Sequence, residues 1–357
     1  MRWFSAALSS AVAVALLAGC AGSSTGSNAS PPNPVAGDQI HGVRAAGFPD
    51  PIPKPPKKPP KKMISGCLLF PNPHSFYAPY NINVSKYPVD PNSSNYMNTY
   101  RTVLHANFGY APNTGFPINV VPRNQPLVPV SFTKYPNESN PGPYPIPNNA
   151  QLEGENGGSD RHLIVLQQGT CKDYEIFQAA YSKKAGWTGA NGAKFNLTTG
   201  DARTIGWTSA DAGGTPIIAG LIRCGEVTHG GIQHAMNLVI SVPTQSGYIF
   251  PGTHWNGQFR NTDYLPMGAR LRIKSSYDLS KFTGQALTIA KAGKKFGYIV
   301  MDGGPQLFQL EGETGTCWNA KELAELTAIP TSALEVVETG PVMAPPQPDA
   351  LRLLKRS

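Results

Sequence analysis

Four side chains in this 357-residue chain combine acid–base capacity with a setting that would fix them: Glu175, Asp211, Glu226 and His234. Glu175 sits inside the apolar run Tyr174-Glu175-Ile176-Phe177, Asp211 closes the loop Thr208-Ser209-Ala210-Asp211, Glu226 precedes a loop, and His234 opens the next strand-like run. Two carboxylates roughly 5 to 9.5 Å apart are the requirement for glycoside hydrolysis, one as acid and one as nucleophile or base. A histidine base facing a cation that neutralises a uronate carboxylate would instead suit a polysaccharide lyase, a role open to His234 with Arg272 and Lys274. Trp207, His254 and Trp255 supply aromatic groups of the kind that stack on sugar rings, and with Arg272 they are the candidate lining of a cleft. Asp160 and His162 are two apart at the start of a strand and so share a face. Three of the acids also have a structural alternative: Asp160 capping a turn, Glu175 pairing with a lysine, Asp211 bonding its own backbone. Trp187 and Trp318 are read as core.

What is missing narrows the chemistry. The chain has no Gly-x-Ser-x-Gly elbow, no Gly-x-x-x-x-Gly-Lys-Ser/Thr loop, no His-Glu-x-x-His, and no Gly-x-Gly-x-x-Gly behind a strand, which weakens the serine hydrolase, nucleotide and zincin readings. His229 and His234 are five apart around glycines; on a strand they would point to opposite faces, so no metal site is expected there. The cofactor is left unknown.

The elements that must position these residues are mostly strands. Residues 162–167, 174–179, 194–197, 233–242, 247–250, 269–275 and 298–302 are runs of β-branched and aromatic residues ending in glycine or asparagine. They predict a mainly β fold, an antiparallel β-sandwich or jelly-roll-like domain with two added helices. Arg270-Leu271-Arg272-Ile273-Lys274 alternates strictly and predicts one basic and one apolar face. The helices are expected over 285–296, closed by Gly297, and from Asn319, where Glu322 three residues on resembles a capping box, to a stop before Pro330. Residues 67–157, dense in proline, asparagine and aromatics, read as wrapping loops with short edge strands, apart from a short helix somewhere in 95–108.

Charge and cysteine divide the chain. Its net charge is +8, but residues 1–66 carry seven cationic side chains against Asp38 and Asp50, and residues 341–357 carry three against Asp349, leaving residues 67–340 at +1. A nearly neutral module is not a nucleic-acid binder; the basic flanks suit anionic envelope polymers or lipid headgroups. Residues 20–66 run from a Ser/Gly tract to Lys54-Pro55-Pro56-Lys57-Lys58-Pro59-Pro60-Lys61-Lys62 and read as a disordered tether, residues 67–340 as a single β-rich domain, and residues 341–357 as a disordered basic tail. Cys67, Cys171, Cys224 and Cys317 predict two disulfides, with three connectivities open.

Arg2, the apolar run 6–17 and Ala15-Leu16-Leu17-Ala18-Gly19-Cys20 resemble the signal peptide and lipobox of bacterial lipoproteins. The resemblance implies that residues 1–19 are removed and Cys20 is lipidated. It also implies a membrane partner through that anchor; Ala21, rather than Asp, favours the outer membrane of the cell envelope. Pro88-Val89-Asp90-Pro91-Asn92-Ser93, residues 138–147, Asp160-Arg161-His162, residues 206–212 and Leu265-Pro266-Met267-Gly268 together resemble a family of secreted bacterial proteins of no established activity. That resemblance spans residues 70–340 and implies one module and no catalytic residue. Two readings follow: a surface-tethered polysaccharide-degrading enzyme, hydrolase or lyase, and a non-catalytic glycan-binding or envelope-structural lipoprotein.

Overall fold

Six of the seven expected runs are strands. The computed structural model describes residues 63–110, 114–154, 160–229, 231–304 and 308–345; the expected signal peptide, Cys20, most of the expected tether and the end of the expected basic tail lie outside the described residues. The run 247–250 is the exception, because prolines at 243, 251 and 266 remove ladder donors around it and Tyr248 keeps only isolated bridges to Met267 and Met343.

The largest sheet has six strands in the order Leu334–Val337, Arg270–Ile273, Tyr298–Gly304, Met236–Ser241, Phe308–Leu310, Leu104–Ala106. A four-stranded sheet orders Asn191–Asn196, Lys172–Phe177, Leu163–Gln167 and Ile118–Val121, and a three-stranded one orders Val130–Phe132, Gly186–Gly189 and Ala180–Ser182. The fold is β-rich with few helices, as expected, but its sheets are mixed. Met236–Ser241 runs parallel to Tyr298–Gly304, and Ile118–Val121 parallel to Leu163–Gln167. Such parallel pairs need long crossovers; the first contains the helix Gly284–Lys295. Five α-helices occur among the described residues rather than two. The short helix foreseen in 95–108 is Ser93–Thr99, and Asn319 caps Ala320–Ala324 by accepting from the backbone N–H groups of Lys321 and Glu322.

Three hydrophobic cores hold these layers. One face of the large sheet (Leu238, Leu271, Val300) packs on Ala286, Ile289 and Ala290 of the long helix. Its other face (Ile299, Met301) shares a core with Ile164, Leu166 and Phe195 of the four-stranded sheet and with the one-turn helix Ile217–Gly220. The remaining face of the four-stranded sheet (Leu163, Val165, Ile176) is covered by Tyr144 and Ile146. A strand buried on both faces shows no alternation, which is why Leu163-Ile164-Val165-Leu166 is apolar throughout.

Buried arginines tie the wrapping loops to the sheets. The alternation in residues 270–274 holds, but the basic face is not open: Arg270 is 2% and Arg272 8% exposed. Arg270 donates to the carbonyls of Phe296, Pro79 and Ile82, and Arg272 to those of Val84 and Tyr87. The Arg272 Nε also reaches Glu335 Oε1 at 2.8 Å. The segment 79–87 thus lies over this face and gives its carbonyls to the guanidinium groups. Two disulfides complete the frame, Cys67–Cys171 and Cys224–Cys317. No helix among the described residues is long and apolar enough to cross a membrane.

Candidate functional site

An acidic groove is built where the two disulfide-linked segments 222–226 and 312–317 lie side by side. Ile222 N–H donates to the Glu311 carbonyl at 3.0 Å and Glu313 N–H to the Ile222 carbonyl at 2.9 Å; the Cys224–Cys317 bridge closes the pair beyond them. Cys224 opens the short helix Cys224–His229, and its N–H donates to Glu313 Oε1 at 2.6 Å. Across from these segments stand Met63, Ile64 and Ser65, in the antiparallel hairpin of Met63–Ile64 and Cys67–Leu68, and Ile118 and Val120 of the edge strand Ile118–Val121. Together with Arg223, Gly225, Glu226 and Glu313 they line an open groove of about 410 Å³.

Glu226 and Glu313 hold their protons very differently. Burial alone would raise Glu226, but the charges of His234 and then Arg223 outweigh it and hold its carboxyl at about 2. The guanidinium of Arg223 pairs with Glu226 Oε1, and His234 Nε2 lies 3.1 Å from Glu226 Oε2 and 3.0 Å from the Arg223 guanidinium. His234 Nδ1 is 2.8 Å from the Ala235 carbonyl, an acceptor only, so that nitrogen donates a proton to it. Arg223 in turn donates to the carbonyls of Ile218 and Leu221, which fixes it from behind. Glu313 goes the other way: burial raises it, and the Cys224 N–H and Arg223 offset this only in part.

The other candidates are placed elsewhere. Glu175 is fully buried, and its Oε1 accepts the backbone N–H of Ile218 at 3.0 Å. It therefore satisfies the N-terminal end of the buried one-turn helix Ile217–Gly220, and Arg223 donates to the carbonyls of Ile218 and Leu221 towards its other end. The lysine expected beside Glu175 is replaced by Asp173, on the same face of one strand. Burial raises Asp173 to about 7, and burial together with the Asp173 charge raises Glu175. Apart from the Ile218 contact, the oxygens of these two carboxyl groups are buried with no hydrogen-bond partner.

Asp211 is 2% exposed and clasps its own loop, accepting from Ser209 Oγ at 2.6 Å, from Thr215 N–H at 2.9 Å, and from the Thr215 hydroxyl. Burial raises it to about 7 against those three donors. Neither Glu175 nor Asp211 opens onto the groove, so the four candidate acid–base residues do not converge. Arg272, locked by Glu335 and two carbonyls, is not paired with His234; the cation beside that ring is Arg223.

Trp207, His254 and Trp255 do gather, each half-buried. His254 stacks on Trp255 at 4.7 Å between centroids, and Trp255 on Tyr248 at 6.3 Å; Arg203 lies 5.6 Å over the Trp207 ring. His254 Nδ1 faces the Ala212 carbonyl at 2.8 Å, and burial lowers the ring's proton affinity. These rings brace the 206–214 loop and do not line the groove. His162, paired with Glu153 at 2.5 Å, is raised to about 9, because Glu153 outweighs the opposing effect of burial. Among the described residues no group of three or more His, Cys, Asp or Glu is arranged to hold a metal ion.

Sequence reasoning passed over Arg223 and Glu313. Both lie within four residues of a cysteine, in Arg223-Cys224-Gly225-Glu226 and Glu313-Thr314-Gly315-Thr316-Cys317. Had Cys224 been paired with Cys317, the two acids would have been placed together; spacing alone left the pairing open. The chain matches no protein-family model, no curated protein and no solved structure.

Proposed function

We propose that this chain is an envelope-tethered enzyme that hydrolyses polysaccharide, with Glu313 as proton donor and Glu226 as the ionised carboxylate on the segment beside it. The observation that supports the reading is the groove itself: two carboxylates line one concave surface, and their surroundings push their proton affinities in opposite directions, the pattern that separates acid from base in carboxylate enzymes. As the glycosidic C–O bond breaks, Glu313 passes its proton to the leaving oxygen while Glu226 faces the positive charge growing on the anomeric carbon. Water then adds to that carbon and returns a proton to Glu313. His234 and Arg223 act through Glu226, keeping it anionic, and are positioning residues. Ile64, Ile118 and Val120 offer apolar wall to the C–H face of a sugar ring.

The lipid anchor on Cys20 belongs to the same proposal, with the lysine- and proline-rich stretch as a spacer between the membrane and the groove. Intact-mass analysis of the protein from its native membrane should find an acylated Cys20 at the N-terminus. For the chemistry, the full-length protein is incubated with a glycan panel, assaying both new reducing ends and unsaturated-uronate absorbance. Reducing ends without absorbance, lost at least a hundredfold in Glu313→Gln and Glu226→Gln, are the expected result. Absorbance would mean a lyase, turnover in both variants would place the site elsewhere, and glycan retention without turnover would mean a binder.

A further inference from the structure

The hairpin formed by Ala180–Ser182 and Gly186–Gly189 contributes an edge strand that the core does not need. All three residues of Ala180–Ser182 are exposed, so the strand buries nothing, yet it carries Tyr181, 62% exposed. In the antiparallel register Tyr181 stands opposite Trp187, and the two rings lie 5.4 Å apart between centroids at 50°. Trp187 is next to Val130 across the parallel pair of the same sheet and packs against the third core. The base of this aromatic pair is therefore rigid while its outer ring stands in water. Tyrosine loses little conformational freedom when it binds, which is why such rings serve as contact platforms.

The hairpin turn adds charge beside the rings. Ser182 Oγ accepts the Ala185 N–H at 3.0 Å and shapes the turn, leaving Lys183 and Lys184 exposed. Among the described residues neither lysine makes an ion pair. No acidic residue occurs in the chain between Glu175 and Asp201, so the turn is cationic without local compensation.

We propose that this hairpin is an accessory binding site for an anionic polysaccharide, a uronate-containing chain. Tyr181, backed by Trp187, stacks on a sugar ring, and Lys183 and Lys184 pair with the carboxylates of neighbouring units. The inference rests on the polysaccharide reading above and adds the substrate class. It concerns a surface formed by other elements than the groove, so binding here and turnover there are separate measurements.

The test is affinity electrophoresis of the full-length protein in gels containing polygalacturonate, alginate or a neutral β-glucan, with reducing-end release measured in parallel. Both polyuronates should retard the protein and the neutral glucan should not. Tyr181→Ala should raise the dissociation constant about tenfold, Tyr181→Trp should restore it, and Lys183→Gln with Lys184→Gln should abolish its salt dependence. Because Tyr181 and both lysines are exposed, these variants keep the fold, and their circular dichroism should match that of the parent. Retardation unchanged in Tyr181→Ala, or equal retardation by the neutral glucan, would overturn the hairpin site even if turnover is found. Tyrosine-dependent retardation with no turnover would keep the hairpin and discard the hydrolase.

Discussion

Asp211→Asn should flatten the pH dependence of stability and leave turnover intact. In the unfolded chain the Asp211 carboxyl gives up its proton near 3.8, whereas burial in the 208–215 loop raises it to about 7. Between those pH values the folded state keeps a proton that the unfolded state has released, so stability is greatest below pH 4 and falls as pH rises towards 7. At about 1.36 kcal/mol for each tenfold difference in proton affinity, the loss is on the order of 4 kcal/mol. Asparagine preserves the shape and an oxygen to accept from Ser209 and Thr215 N–H, and the Thr215 hydroxyl can turn to accept from the new amide. The remaining buried acids titrate in both proteins; Asp302, which the Asp211 charge helps to raise, is relieved of that charge in the variant, and this acts in the same direction. Urea unfolding of parent and variant at pH 4.5 and pH 8 reads the effect: the stability difference should move by several kcal/mol in the variant's favour at the higher pH. Equal slopes would refute the assignment of Asp211 as a buried, protonated loop clasp. Turnover lost at unchanged stability would return it to the chemistry.

The two disulfides offer a paired comparison. Each spans a long stretch of chain, 104 residues for Cys67–Cys171 and 93 for Cys224–Cys317, so the chain-entropy treatment gives about 4.7 kcal/mol for either. Double alanine variants of the two bridges should therefore lose similar stability in thermal unfolding, but loss of Cys224–Cys317 should depress turnover below the melting range more strongly, because it braces the segments that carry Glu313, Arg223 and Glu226, whereas Cys67–Cys171 holds the apolar wall at Met63–Ser65. Arg203, 6% exposed, binds the carbonyls of Thr208, Glu138 and Gly192 and the side chain of Asn140. Arg203→Ala leaves those acceptors dry, a cost of about 3 to 5 kcal/mol by chemical denaturation. Lysine should rescue little of it, since an ammonium cannot span that fork of acceptors.

Local sequence determined the elements, and tertiary contact decided what the polar residues do in them. Runs of β-branched and aromatic residues, Gly297 after the long helix and Asn319 before the next act within a few residues, so six of the seven expected strands and both expected helices were legible, while the one-turn helix Ile217–Gly220 and the short helix Cys224–His229 carried no such local signal. The even set of four cysteines in residues 67–340 likewise announced two bridges. Their pairing was not local: Cys224 and Cys317 are brought together by folding over 93 residues, and with them Glu226 and Glu313. Which carboxylates meet water was equally beyond any window. Glu175 and Asp211 stand in runs that look like active-site strands and loops, yet burial between two sheets makes one a helix-end acceptor and the other a loop clasp. The alternation of Arg270 and Arg272 specified a basic face, and only the segment 79–87 lying over it turned that face from a ligand surface into a seam. Side-chain period and capping are properties of neighbours along the chain; burial, proton affinity and convergence depend on residues far along it, from 43 positions for Glu175 and Ile218 to 191 for Arg270 and Pro79.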